Sequence, residues 1–279
     1  MAAPEIAIAG ASRPDGTGRL RRLTWLLVLV VGIGAYQIVL RVMIDTQNVN
    51  FFPSLLLIGA ITVPVSVLIF AETGGRTISV IPWLVATTAI VGGVVGTITA
   101  GTLEYDSLRV LGAVPMVLVG IIEEGAKLIV PLVLYLFLRP KDPRAGVIIG
   151  IASGMGFATL ETMGYGFQAL LSAGNISAVD DTLLLRALLA PACHIAWTGM
   201  CTAMLWRIHS ARHRPRAVAA FLGTYAVAVA LHATWDGSTS VPVHVVVAGI
   251  GLVVLLVFLH LAHRAPRKSG SSTPATTTT

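Results

Sequence analysis

Long apolar runs separated by short polar breaks dominate the chain from its first quarter to near its end. Crossing about 30 Å of hydrocarbon takes about 20 helical residues. Runs of that length fall at roughly 23–43, 51–71, 80–102, 109–138, 145–171, 183–206, 216–236 and 241–263. The last starts raggedly at Pro242 and His244. The pattern predicts an all-α, polytopic transmembrane helix bundle of about eight spans. The first run follows Arg19, Arg21 and Arg22 and stays apolar from Leu23 to Leu40. That is longer than the apolar region of a signal peptide, so it is expected to remain as a membrane helix. Gly146, Gly150 and Gly154 recur every fourth residue in the fifth run, a small-residue stripe that lets a neighbouring helix approach closely. No internal repeat is visible.

Composition agrees with the pattern. Of 279 residues, 55% are hydrophobic and 11% charged, and the mean hydropathy is +0.84, which excludes an ordinary cytosolic globule. The net charge of +6 sits in short clusters between apolar runs, the arrangement of membrane-flanking loops, so no nucleic-acid partner is expected. Positive charge on short loops marks the cytoplasmic side. Fifteen of the nineteen Lys and Arg residues fall on the side of the N-terminus, three (Arg41, Arg109, Arg186) on the other, and Lys127 lies inside a span. The opposite side carries Asp45, Glu104, Asp106, Asp180 and Asp181. Both termini are therefore expected in the cytoplasm, with the chain in the cell (inner or plasma) membrane. Residues 1–18 and the Ser-, Thr-, Pro- and Ala-rich tail 264–279 are expected to be disordered, flanking a transmembrane domain over 19–263 with a catalytic core at about 109–240. Cys193 and Cys201 are eight residues apart on one apolar run, about 12 Å along a helix, too far for an intrahelical disulfide. They read as buried thiols. The sequon-like Asn175-Ile176-Ser177 is too short a match to carry weight.

Several ionisable residues lie where a membrane helix tolerates them worst. Glu123, Glu124 and Lys127 fall near the middle of the fourth span, Glu161 near the middle of the fifth, His194 in the sixth, and His232 with Asp236 in the seventh. A charge at the centre of a lipid-exposed helix costs about 2.5–3.5 kcal/mol on insertion scales, so such residues face a protein interior or a wet cavity and usually work there. Counted from the cytoplasmic ends of their helices, Glu123, Glu161, His194 and His232 are all roughly 18–24 Å deep, so one layer can hold them. Glu123 and Lys127 are one turn apart and can pair. Glu124, about 100° round the helix from Glu123, is expected to look elsewhere. His232 and Asp236 are also one turn apart, so the carboxylate can fix the imidazole tautomer. His209, His213, His244, His260 and His263 lie in a loop or near helix ends, and no chemistry is assigned to them.

Peptide hydrolysis needs an activated water, a stabilised oxyanion and a proton for the leaving amine. Carboxylates and histidines supply these directly or by holding a divalent metal. The residue types do not separate the two routes. HExxH is absent, which excludes only the common soluble zinc-protease arrangement.

Glu123-Glu124-x-x-Lys127, then Phe157-x-x-x-Glu161 in a Gly-rich helix, then His194, then His232-x-x-x-Asp236 in Leu-His-Ala-x-Trp-Asp together resemble the PrsW family of intramembrane proteases over about 109–240. The resemblance implies a distant relation to the type II CAAX prenyl endopeptidases. It implies Glu123 as the water-activating base with Glu124 beside it, Glu161 and His194 completing the centre, and His232 with Asp236 serving the oxyanion or orienting the water. Lys127 and Phe157 are supporting members. No cofactor is certain. A divalent metal such as zinc, if held, has Glu124, Glu161, His194 and His232 as its candidate ligands. The implied partner is a membrane-anchored protein, such as an anti-sigma factor or another single-pass substrate. The extra N-terminal spans depart from the family picture, so no particular substrate carries over. The expected function is thus an intramembrane endopeptidase. The alternative is a proton-coupled transporter using the same Glu and His cluster, against which the absence of a repeat counts. A catalytically silent relative of the same fold is the third reading, against which the full set of acids and histidines counts.

Overall fold

The computed structural model describes residues 18–75, 78, 80–137 and 142–264. The segments expected to be disordered lie outside these residues except for Gly18 and Arg264, as do Arg76, Arg139 and Lys141 of the charge count. A short helix α1 (Gly18–Arg22) leads into α2 (Thr24–Thr46). A 3₁₀ turn (Val49–Phe51) then turns the chain into α3 (Phe52–Thr73). There follow α4 (Pro82–Leu111), α5 (Met116–Phe137), α6 (Pro143–Ala173), α7 (Ile176–Leu189), a π-type turn (Pro191–Ile195), α8 (Ala196–Ser210), α9 (Arg214–Asp236) and α10 (Val241–Arg264). Among the described residues there is no strand.

Seven segments are long and apolar enough to cross a membrane: α2, the 3₁₀ turn with α3, α4, α6 from Arg144, the α7–α8 segment, α9 and α10. Helix α5 has 22 residues, about 33 Å of helix, but carries Glu123, Glu124 and Lys127. Counting it gives the eight membrane-length elements of an all-α polytopic bundle.

Boundaries differ from the expectation where polarity was taken for a helix end. The third span was expected to stop at 102, yet α4 runs on to Leu111, carrying Glu104 and Asp106 on the helix. No Gly or Pro interrupts residues 102–111, and polar residues alone do not stop a helix. Gly112 does: at φ +72° it adopts the left-handed conformation and its N–H donates to the Leu108 carbonyl. Gly174 ends α6 in the same way at φ +66°. Asn175 then caps α7, its side-chain oxygen accepting the Ala178 N–H at 2.9 Å, so Asp180 and Asp181 also sit on a helix rather than a loop.

The sixth span is not one continuous α-helix. Pro191 has no N–H for the carbonyl four residues back, and the chain passes through a wider turn in which the Ile195 N–H reaches the Ala190 carbonyl, five residues behind. His194 sits in this turn, which reorients it relative to α8.

Helix α6 is the centre of the bundle and packs on α4, α8, α3 and α5. Its glycines set how close the neighbours come. Gly146 faces Trp206, Gly150 faces Thr198 and Thr202, and Gly154 faces Thr198 and the His194 carbonyl, so the expected stripe is the seat of α8 and the π-type turn. On another face Gly156 meets Ala89 and Gly93 of α4. Gly251 of α10 lies against the Ala192 carbonyl in the π-type turn. Lipid offers little hydrophobic drive between helices, so contacts this close supply the dispersion that holds them. The core that results joins Ile148, Ile151 and Ala152 of α6 to Ile195, Trp197 and Cys201. Both cysteines are buried free thiols.

A Cβ on Gly156 would fall onto the Ala89 carbonyl, whereas one on Gly164 would meet nothing within 4 Å. G156A is therefore expected to destabilise the detergent-solubilised protein by about 1–3 kcal/mol and G164A to leave its thermal midpoint unchanged or raised, as read from unfolding curves of the two variants against wild type.

Candidate active site

Lys127, on α5, is fully buried, and its ammonium group meets three acceptors. It donates to Glu123 Oε2 at 3.0 Å, to Glu124 Oε1 at 2.8 Å and to His194 Nδ1 at 2.8 Å. A lysine reaches both one turn and three residues back, so Glu124 does not look elsewhere as expected but shares the cation with Glu123. The Phe157 ring covers the ammonium at 4.3 Å from its centroid, a cation–π contact strengthened by the absence of water.

Because Lys127 donates to Nδ1 of His194, the proton of a neutral imidazole is on Nε2, which faces Glu161 Oε2 at 3.1 Å. Glu161 Oε2 also accepts from Arg186 Nη2 at 2.6 Å. His232 faces carboxylates on both ring nitrogens: Nδ1 lies 2.9 Å from Glu124 Oε1, and Nε2 lies 3.1 Å from Asp236 Oδ2 and 3.5 Å from Glu123 Oε2. The two imidazoles meet edge to face with centroids 5.4 Å apart, and Trp197 packs on both. Helices α5, α6 and α9 and the π-type turn thus each deliver side chains to one connected network.

Helix-to-helix bonds hold these elements in register. Ser153 of α6 donates to the Lys127 carbonyl at 2.7 Å, and Tyr225 of α9 donates to the Ile121 carbonyl at 2.7 Å. His244 of α10 bonds the Trp235 carbonyl at 2.9 Å and packs its ring at a tilt against the Trp235 ring, fixing the end of α9 beside Asp236.

The network is graded in exposure. Glu124 is 1% exposed and His232 1%. The side chains of Glu123 and His194 are each 11% exposed, Glu161 17%, Arg186 22% and Asp236 31%. The open side therefore lies toward Glu161, Arg186 and Asp236. Asp236 is the last residue of α9, so this side is near one end of the bundle.

The donor set suits a divalent cation in residue type and number, and binding one takes the Lys127 ammonium off His194 Nδ1, because that nitrogen then carries either the metal or the ring proton. Glu123, His194 and His232 offer ligand atoms within 4.8 Å of one another. Tetrahedral ligands at zinc bond lengths lie about 3.4 Å apart, close to the 3.5 Å already separating His232 Nε2 from Glu123 Oε2. Three protein ligands leave a position open for water or substrate. Glu124 behind His232 Nδ1 is the carboxylate partner that orients a ligating imidazole. At formal charge the four carboxylates Glu123, Glu124, Glu161 and Asp236 outnumber the Lys and Arg cations paired with them, Lys127 and Arg186, by two. This triad takes Glu123 where the sequence pointed to Glu124 and leaves Glu161 out.

Two residues placed outside the bilayer by sequence belong to this neighbourhood. Arg186 was counted among flanking basic residues, and its signal was an arginine eight positions before His194 within an apolar stretch. Glu104 of α4 lies within electrostatic reach of Glu123, Glu161, His232 and Lys127, and its Oε1 is buried without a hydrogen-bond partner.

The family model described as PrsW family intramembrane metalloprotease matches residues 81–262, about two thirds of the chain. No curated protein and no solved structure matches. The match begins at the start of α4, so α2 and α3 fall outside it.

Replacing Lys127 by Met would leave two buried carboxylates facing each other without a cation. K127M is expected to destabilise the protein by about 3–5 kcal/mol, read as a fall in the chemical-denaturation midpoint of purified protein, whereas a wild-type midpoint would show the pair to be dispensable for stability.

Proposed function

The chain belongs to the PrsW family of intramembrane metalloproteases, and on that premise we propose that it cuts a membrane-anchored protein near the bilayer face opposite its basic loops, using water activated at Glu123. The carrying observation is the closed network in which Lys127 binds Glu123, Glu124 and His194 while His232 touches both glutamates. Multi-pass membrane location and peptidase activity follow from the family and the membrane-length helices. A proton-coupled transporter is not favoured by that membership.

Glu123 is the more exposed of the paired glutamates and takes a proton from water. The oxygen of that water bonds to the peptide carbonyl carbon, and the carbonyl electron pair moves onto its oxygen. The Nε2–H groups of His194 and His232, which face Glu161 and Asp236, are shared with the oxyanion as three-centre donors. As the C–N bond breaks, Glu123 returns the proton to the leaving amine. Glu124 and Asp236 orient His232, Glu161 orients His194, and Lys127 holds the two glutamates in place. If bound, a divalent metal such as zinc would be held by Glu123, His194 and His232 and would supply Lewis-acid polarisation and a more acidic water, with Glu123 then serving as a ligand instead of as the base.

The basic flanks support a cytoplasmic location for both termini and a cell-membrane address. Glu123 lies seven residues into α5, about 10 Å from its start. By the charge count that start is the extracytoplasmic end. A scissile bond close to that face fits a single-pass substrate, such as an anti-sigma factor, cut where its helix leaves the bilayer.

Co-expression with a tagged single-pass reporter tests this reading. E123Q, E124Q and H232A are each expected to lower cleavage by roughly 100-fold or more, and undiminished cleavage by any of them removes that residue from the site. Metal analysis of the purified protein, with activity measured before and after chelation, is expected to show one divalent ion per chain and loss of cleavage on its removal. Full activity in metal-free protein would leave the carboxylate route alone.

A further inference from the structure

We propose that Arg186 is a positioning residue for the reaction: it holds Glu161 against His194 and so fixes the imidazole that faces the substrate. The inference rests on the active-site reading above and adds a residue that the Glu, His and Asp pattern does not contain.

Three contacts from α6 seat the guanidinium. Nη2 donates to Glu161 Oε2 at 2.6 Å, Nε donates to Thr162 Oγ1 at 3.3 Å, and the group lies 4.0 Å over the Tyr165 ring. A guanidinium over an aromatic face with two fixed donors suits Arg and not Lys. The oxygen it grips is the one that His194 Nε2 reaches at 3.1 Å. Lys127 occupies the other imidazole nitrogen. His194 is thus held between a cation on one side and a cation-anchored carboxylate on the other, in the chain of contacts Lys127–His194–Glu161–Arg186. Removing Arg186 frees Glu161 to turn away, and His194 then loses the partner that sets its ring plane. The effect is on orientation, which second-shell partners of catalytic imidazoles characteristically govern.

Arg186 is not what docks α7. Val179 and Leu183 of that helix are fully buried against Leu56 of α3, and Asp180 accepts from Tyr36 of α2 at 2.7 Å. Loss of the guanidinium therefore leaves α7 anchored by contacts outside the site.

The test uses R186A in the full-length, detergent-solubilised enzyme with the single-pass reporter. We expect kcat to fall roughly 10–100-fold with KM and the unfolding temperature close to wild type, and added guanidinium, but not ammonium or urea at equal concentration, to restore turnover saturably. In an E161Q background the same substitution is expected to cost little further, because its effect passes through Glu161. Wild-type turnover in R186A overturns the proposal, as does a loss that guanidinium cannot rescue and that is undiminished in E161Q. The parallel measurement on E123Q separates the two levels: if E123Q cleaves as wild type does, the active-site reading fails. If E123Q is dead and R186A is fully active, only the role of Arg186 fails.

Discussion

A single buried ammonium group organises this protein. Lys127 has no exposure to solvent, and removing a cation from water costs several kcal/mol unless its donors are all received. Here they are received by two carboxylates and an imidazole from two separate elements. The converse holds equally, because two neighbouring buried carboxylates repel each other unless a cation lies between them. Each charge is tolerable only in the presence of the others, so α5 and the π-type turn must meet for either to be stable.

Meeting at that distance demands backbone proximity, which the glycines of α6 and α10 provide. Gly154 lets the His194 carbonyl approach α6, and Gly251 lets the Ala192 carbonyl approach α10. The widened turn after Pro191 is thereby clamped on two sides, which directs His194 toward Lys127 rather than along the face of a regular helix. Packing and chemistry are coupled: the same close contacts that replace a hydrophobic drive within lipid fix the position of an imidazole.

The resulting network is sealed from solvent at its base and more exposed at its rim. Glu124, Lys127 and His232 lie at the base, walled by Phe157 and Trp197, while Glu161, Arg186 and Asp236 face outward. A protease confined to the membrane needs both zones. A dry base strengthens each electrostatic contact, and a polar rim admits the water that hydrolysis consumes. The α2–α3 hairpin, outside the family match, touches this arrangement through α6, α7 and the π-type turn, with Tyr36 bonded to Asp180 as a polar link.

The membrane-length elements, the glycine stripe and the improbable charges in mid-span were all legible in the sequence, because burial of apolar length and the cost of a lone charge are local properties of a stretch of chain. Glu123, Glu161, His194 and His232 could be placed at one depth by counting residues, and the structure brings them together with Glu124, Lys127 and Asp236. Their partners could not be read. The 100° offset of Glu124 from Glu123 says where a Cβ points, but a lysine long enough to reach both carboxylates decides where the oxygens go. Glu104 and Arg186 looked like flanking residues because polarity was taken for a helix end, whereas α4 ends only at Gly112 and α7 begins already at Ile176. The break at Pro191, and with it the direction of His194, exists only in relation to the helices packed on it. Sequence therefore determined which groups had to be sheltered from lipid and at what depth, and tertiary packing decided which of them share a proton, a cation or an opening to water, since those depend on interatomic distances between helices far apart in the chain.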